Sequence, residues 1–282
     1  MADNPSLTQT RARQWPAWLK LPVLVGIAII AFWIVTCLTI DLWPIYDPID
    51  MVARRLQPPS WEHWFGTDAL GRDVLSRTLH GARLSLMMCV GVIVFAVLIG
   101  SAIGAVAGYV GGLIDGALMR LVDITLSFPP ILLAMAVTAA LGTGLENAAI
   151  AMIIVWWPVY ARLMRGQVLS VKSREHVEAA TAAGASHSRT LGKHILPLTW
   201  SPILINATMD FGQVVLLTAS LSFIGLGASP PTPEWGSMID EGAKNFYQWW
   251  ICAGPGVAIL SVALAFNFLG DGLRDLLDPR SK

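Results

Sequence analysis

Charge is scarce in this sequence. Asp, Glu, Lys and Arg make up 13% of its 282 residues, about half the share in an ordinary soluble domain. The formal charges sum to zero, so no broad basic field points to nucleic acid as a partner. Three cysteines, Cys37, Cys89 and Cys252, lie far apart within apolar stretches, and five histidines, His63, His80, His176, His187 and His194, are scattered. Neither set has the spacing of a metal site or a disulfide framework. The cysteines read as small buried hydrophobes, and no metal ligand is nominated. Gly-x-x-x-x-Gly-Lys-Ser/Thr is absent, and with it the cradle for ATP phosphates; Gly-x-Ser-x-Gly and His-Glu-x-x-His are absent too. No catalytic residue is nominated, and no cofactor is expected on the chain. Energy from ATP and Mg would enter through partner subunits.

Apolar residues are plentiful, at 55% of the chain with a mean hydropathy of +0.60. Six runs of about 20 residues or more are long enough to cross a bilayer as helices: 21–40, 84–108, 117–140, 147–166, 203–225 and 252–272. The expected fold is an all-α integral membrane protein with about six transmembrane helices. The first run follows Arg11, Arg13 and Lys20 like a signal peptide, but it exceeds the 7–15 apolar residues of a signal core, and no Ala-x-Ala-like site follows. It reads as a retained helix. With the N-terminus inside, thirteen Lys and Arg fall on the inner side against six outside, which favours cytoplasmic N- and C-termini. The five outer arginines between the first two runs share their segment with Asp41, Asp47, Asp50, Asp68 and Asp73, which can pair with them. The expected organisation is a cytoplasmic tail (1–20), a first helix with its outer loop (21–83), and a core of five helices (84–282).

Gly100, Gly104 and Gly108 recur at every fourth position and would give one helix a thin face for close packing. Pro129, Pro130 and Pro158 should kink or break their helices. Asp123 lies one turn from Arg120, so a local ion pair is expected. Asn206, Asp210 and Gln213 form a polar stripe on the fifth run. It would either line a translocation path or bond to neighbouring helices.

The stretch 167–202 is polar. Glu175 to Ala183 has helix-forming composition, Gly184 suits the left-handed position after a helix, Ser186 can cap a second short helix, and Pro197 should stop it. Alanines keep the first helix thin, so another protein could approach its backbone. Here Glu178-Ala179-Ala180, Gly184 and Leu196-Pro197 match in residue and spacing, and the chain resembles the EAA signature of ATP-binding-cassette import permeases. His194 stands where the general pattern has an apolar residue. The resemblance implies a type I importer permease fold in which this loop is a coupling helix docking into the ATPase.

Further blocks resemble the second (C-type) permease of the dipeptide/oligopeptide/nickel family. They are Phe65-Gly66-Thr-Asp68, Gly71-Arg72-Asp73 through Arg77, Ser127-Phe-Pro129, Trp157 with Tyr160-Ala-Arg162, Leu221 to Gly227, Pro231 to Met238, and Gly270 to Pro279. Gly66, Gly71 and Gly81 should shape a compact outer loop in which Asp68, Arg72 and Asp73 form a salt-bridged knot, structural rather than substrate-binding. Trp235, Trp249 and Trp250 suit an interfacial belt. The resemblance implies a homologous second permease, two ATP-binding subunits or domains, an extracytoplasmic substrate-binding protein, and residence in a bacterial inner membrane. Peptides are the implied cargo, with nickel chelates or another small solute as the alternative. A secondary transporter would instead show repeats or buried charge networks, and an enzyme a catalytic constellation.

Overall fold

The computed structural model describes residues 21–277. The tail 1–20, with Arg11, Arg13 and Lys20, and the end of the chain, with Pro279, Arg280 and Lys282, lie outside the described residues. The helices are α1 (Leu21–Thr39), α2 (Val74–Val110), α3 (Gly112–Leu126), α4 (Pro130–Leu141), α5 (Leu145–Lys172), α6 (Glu175–Ala182), α7 (His187–Arg189), α8 (Leu196–Phe223), α9 (Trp235–Lys244) and α10 (Trp250–Leu277). Five helical stretches are long and apolar enough to cross a membrane, and α3 and α4, bent by 93° at their break, pass the same test only as a pair, making five or six candidate spans.

Four expected spans are corrected in extent. The second begins at Val74 rather than residue 84. Asp73 caps it by accepting from the Ser76 N–H at 2.7 Å, and the polar residues of its first turns find partners, so the helix continues below the apolar run. The proposed boundary at 83/84 therefore falls inside α2, and Gly81, expected in the outer loop, is a buried residue of that helix. The fourth span runs on to Lys172, and the fifth begins at Leu196 rather than residue 203. The third is two helices, because Pro129 and Pro130 have no N–H to continue α3; the second proline instead sits at the start of α4. Pro158 lies inside α5 without interrupting it.

Pro197 does not stop the second short helix. From His187 to Phe223 the chain is one helical stretch, with a π turn at Thr190–Ile195 immediately before Pro197. The wider π turn accommodates the ring and missing N–H of a proline that would otherwise clash with the preceding turn.

The core is built on α2 against α5. A Cβ on Gly100 or Gly104 would run into the carbonyls of Trp157 and Ala161, and one on Gly108 would lie 3.0 Å from the Arg165 carbonyl. The partners also repeat every fourth residue, so the two backbones touch along a shared stripe, as the glycine spacing predicts. Trp33 of α1 donates to Ser261 of α10 at 2.9 Å. Leu24, Ile27, Phe32 and Val35 of α1, and Val90, Val94 and Leu98 of α2, remain exposed. This apolar exterior is what a lipid solvent requires.

Trp235 is not part of an interfacial belt. It is fully buried, stacked edge-on against Trp33 at 5.1 Å, with its Nε1–H bonded to the Thr78 carbonyl at 2.8 Å. Trp249 is exposed, and Trp250 donates to the Thr67 carbonyl at 3.2 Å.

Candidate coupling surface, buried knot and membrane stripe

One end of the bundle carries the α6 hairpin. Val177, almost fully buried, anchors α6 to the core, while Glu178 and Ala179 are exposed and Ala180 is half-buried. The helix closes with Gly184 at φ +86°. The Gly184 N–H bonds to the Thr181 carbonyl at 3.0 Å and the Ala185 N–H to the Ala180 carbonyl at 3.1 Å. This paired closure defines a Schellman turn. A Cβ on Gly184 would meet nothing within 4 Å, so the glycine is set there by backbone conformation and not by crowding from its own chain. Leu196, half-buried, and Pro197, exposed, sit away from this turn, where the hairpin enters α8.

Three elements meet at the hairpin's base in a way the sequence did not indicate. The Tyr109 hydroxyl at the end of α2 bonds to His187 Nδ1 at 2.9 Å. Lys172, ending α5, donates to the Tyr109 carbonyl at 2.6 Å and lies 5.3 Å from its ring centroid. A cavity of about 930 Å³ separates this base from α6, lined by Tyr109, Lys172, Val177, Glu178, His187 and Thr190. Two further pairs tie α3 to α5. Arg165 grips Asp115 through two bonds of 2.5 and 2.6 Å. Asp123 is held by Arg162 at 2.6 Å, which corrects the expected pair with Arg120.

The opposite end, where α2 begins, holds the knot. Asp68 and Arg72 pair at 2.6 Å with both side chains almost fully buried, so this is not the surface pair expected. Arg72 also reaches Glu241 of α9 at 3.1 Å, and Arg77 approaches Asp68 at 3.4 Å. Arg77 donates to the carbonyls of Pro48 at 3.0 Å and Pro231 at 3.3 Å. Asp73 pairs with His63 at 2.9 Å rather than with an arginine. Gly66 and Gly71 adopt φ of +66° and +86°, and a Cβ on either would strike the Gln57 or Ala53 carbonyl, so both are required for the tight loop. Burial first, and then the Asp68 charge, push the Glu241 carboxyl above its usual range, against the pull of Arg72 and Arg77. Glu234 caps α9 by accepting from the Gly236 and Ser237 N–H groups, both at 2.9 Å. Burial raises its carboxyl too. Sequence reading missed His63, Glu234 and Glu241, since their partners are distant along the chain or unlike any motif, whereas Arg77 was one of the outer arginines expected to pair with the aspartates of its segment.

In the middle of the bundle, Asp210 of α8 accepts from the Tyr160 hydroxyl at 2.9 Å and from the Trp156 Nε1–H at 3.2 Å, both on α5. Asn206, half-buried, bonds back to the Pro202 carbonyl at 2.9 Å, and Gln213 is exposed. Of the stripe, only Asp210 makes a side-chain bond to a neighbouring helix.

Residues 100–282 match the sequence family described as the binding-protein-dependent transport system inner membrane component. The chain belongs to this family. A probable D,D-dipeptide transport system permease of Escherichia coli K12, DdpC, is 45% identical over 265 residues, covering 92% of this chain and 88% of that protein. A di/tripeptide transport system permease of Pseudomonas aeruginosa, DppC, is 39% identical over 293 residues, covering 100% and 96%. A glutathione transport system permease of Shigella dysenteriae, GsiD, is 50% identical over 229 residues, covering 79% and 74%. The fold also matches the inward-facing methionine transporter MetNI, with a TM-score of 0.57 at 23% identity, over 71% of this chain and 96% of the other. An amino acid transporter solved with histidines gives 0.55 at 16%, over 72% and 94%. As a member of the inner membrane component family, the chain is a multi-pass membrane permease of the ATP-binding-cassette importer type.

Proposed function

We propose that this permease carries peptides of a few residues across a bacterial inner membrane. It would do so with a homologous second permease, two ATP-binding subunits or domains, and an extracytoplasmic substrate-binding protein. The observation that carries the reading is the exposed Glu178–Gly184 hairpin at one end of a bundle of apolar helices, in a family of binding-protein-dependent transporters. Peptide cargo is supported by relatives named for dipeptides, di/tripeptides and glutathione.

The hairpin end faces the cytoplasm in this reading. ATP and Mg bind between the ATPase subunits, whose closure moves α6. The thin Ala179–Ala180 surface and the turn at Gly184 let the ATPase reach the backbone. Force on α6 passes to α2 and α5 through Tyr109, Lys172 and His187 and is carried by the packed α2–α5 pair. The stripe at Asn206, Asp210 and Gln213 lines the path between the two permeases. The knot of Gly66, Asp68, Gly71, Arg72 and Asp73 rigidifies the outer end that receives the loaded binding protein.

The test is purification of the tagged chain from its native membrane in mild detergent, then reconstitution in liposomes. Co-purification of Walker-motif ATPases and a second permease, with peptide uptake only when ATP and the binding protein are supplied, is expected. Uptake by the chain alone, driven by an ion gradient without ATP, would overturn the reading.

A further inference from the structure

We propose that Asp210 is a binding point within the membrane for a protonated amine of the cargo, such as the ammonium at the N-terminus of a peptide. The inference rests on the reading of the α8 stripe as part of the translocation path and adds the chemistry of what is recognised there.

Asp210 stands near the middle of α8, and its two partners stand near the middle of α5. Both partners bond to the same oxygen, Oδ2, and both are neutral. Oδ1 accepts from no protein donor, and no Lys, Arg or His pairs with the carboxylate, among the described residues. Asp115 and Asp123 contrast with it, since each is held by an arginine of α5. A carboxylate at this depth is costly unless it meets a cation or water. Here the chain supplies groups that orient the carboxylate and no charge that answers it. Asp210 is only half-buried, and Gln213, the next polar residue on that face, is exposed. The face is therefore open to whatever passes beside it.

An ammonium group matches what is left over. It has three donors and a compact positive charge, and Oδ1 is a free acceptor on a group already fixed by Tyr160 and Trp156. A single carboxylate also suits a path better than a full pocket does. Binding in a conduit must be strong enough to admit the cargo and weak enough to release it.

The experiment uses the complete importer in membrane vesicles, with Cys37, Cys89 and Cys252 replaced by Ala and with Gln213→Cys introduced. The new thiol is titrated with an aminoethyl and with a neutral methyl methanethiosulfonate, each rate normalised to its rate with a free thiol in solution. With Asp210 intact, the ammonium reagent should be favoured by about tenfold, as expected for opposite charges a few ångströms apart in a partly aqueous site. Asp210→Asn should bring the ratio close to one, and Asp210→Glu should keep it. Equal rates with Asp210 intact would overturn the ammonium site while leaving the path in place, and that measurement does not depend on any Asp210 variant folding. A preference that survives Asp210→Asn would assign the attraction to another charge and overturn the proposal. Failure of both reagents to reach the thiol would remove the path, and the proposal with it.

Discussion

Gly184 is needed for its dihedral angle and not for space within its own chain, which separates two effects that usually come together. With φ at +86° and open space above it, Gly184→Val should strain the turn by about 1–2 kcal/mol. Gly184→Asn, which tolerates this conformation, should strain it far less. If the ATPase approaches the backbone here, both variants should reduce ATP-driven uptake about tenfold or more while the protein still reaches the membrane. Uptake and ATP hydrolysis measured together in reconstituted vesicles check this, and normal uptake by both variants would end the coupling role of the turn. The knot behaves differently, because its charges are buried. Arg72→Ala removes the nearest cation from Asp68 and Glu241 and leaves Arg77, 3.4 Å from Asp68, to answer both; loss of one partner of a buried pair typically costs about 3–5 kcal/mol. A melting curve in detergent should show the loss, and Arg72→Lys should recover only part of it. Glu234 gives a pH signature. Its folded-state carboxyl holds its proton above the ordinary value of 4.5, so the folded form binds more protons than the unfolded form as pH rises past that value. Its ionisation therefore costs stability with rising pH. Glu234→Gln does not titrate, so the variant should gain on the parent between pH 4.5 and neutral; a constant gap in melting temperature would contradict this.

At the scale of elements, the periodic parts of the fold were legible and the compensated parts were not. The every-fourth glycines of α2 announced a packing face because only a residue without Cβ lets two backbones touch. Gly184 announced a helix end because few residues adopt its conformation. Pro129 and Pro130 announced a break, though a hydropathy run cannot report its 93° angle. Pro197 misled, because a π turn can absorb a proline, and nothing local in the sequence marks that turn. The start of α2 was missed because Arg77 and His80 look unsuitable for a span until their partners are known. The Asp123–Arg162 pair was missed because proximity along one helix was favoured over proximity between helices. The glycine face can be tested against its own control. Gly104→Leu places a side chain against the Ala161 backbone and should cost about 1–3 kcal/mol or more, since backbone cannot step aside as a rotamer can. Gly91→Ala, on the same helix with no atom within 4 Å of the new Cβ, should leave stability unchanged or raise it by about 0.4–1 kcal/mol. Equal gains from both would show that helix propensity rather than packing sets the effect.

The whole molecule is polar along one axis. α2 is 37 residues long, a rod of about 55 Å, with the knot at its first turn and Tyr109 against the hairpin at its last. α1 begins at the hairpin end, where Val23 lies against Gly272 of α10, so the described chain starts and finishes at that same end. Arg162, Arg165, Lys172, Arg174, Arg189 and Lys193 gather toward it, which is the asymmetry expected of a cytoplasmic side. The five arginines of the other end looked contrary. However, Arg72 and Arg77 are folded around Asp68 and Glu241, and Arg83 reaches Asp41 at 2.9 Å, so most of that charge is answered within the structure. The proposed orientation, with the hairpin end in the cytoplasm, can be measured directly. Ser186→Cys in the hairpin and Trp61→Cys in the opposite loop, where the native side chain is 95% exposed, each place a reachable thiol at one end. A membrane-impermeant thiol reagent should label the second in intact spheroplasts and the first only in inside-out vesicles. Labelling in the reverse order would put the hairpin outside the cell, away from any ATPase, and the coupling account would fall with it.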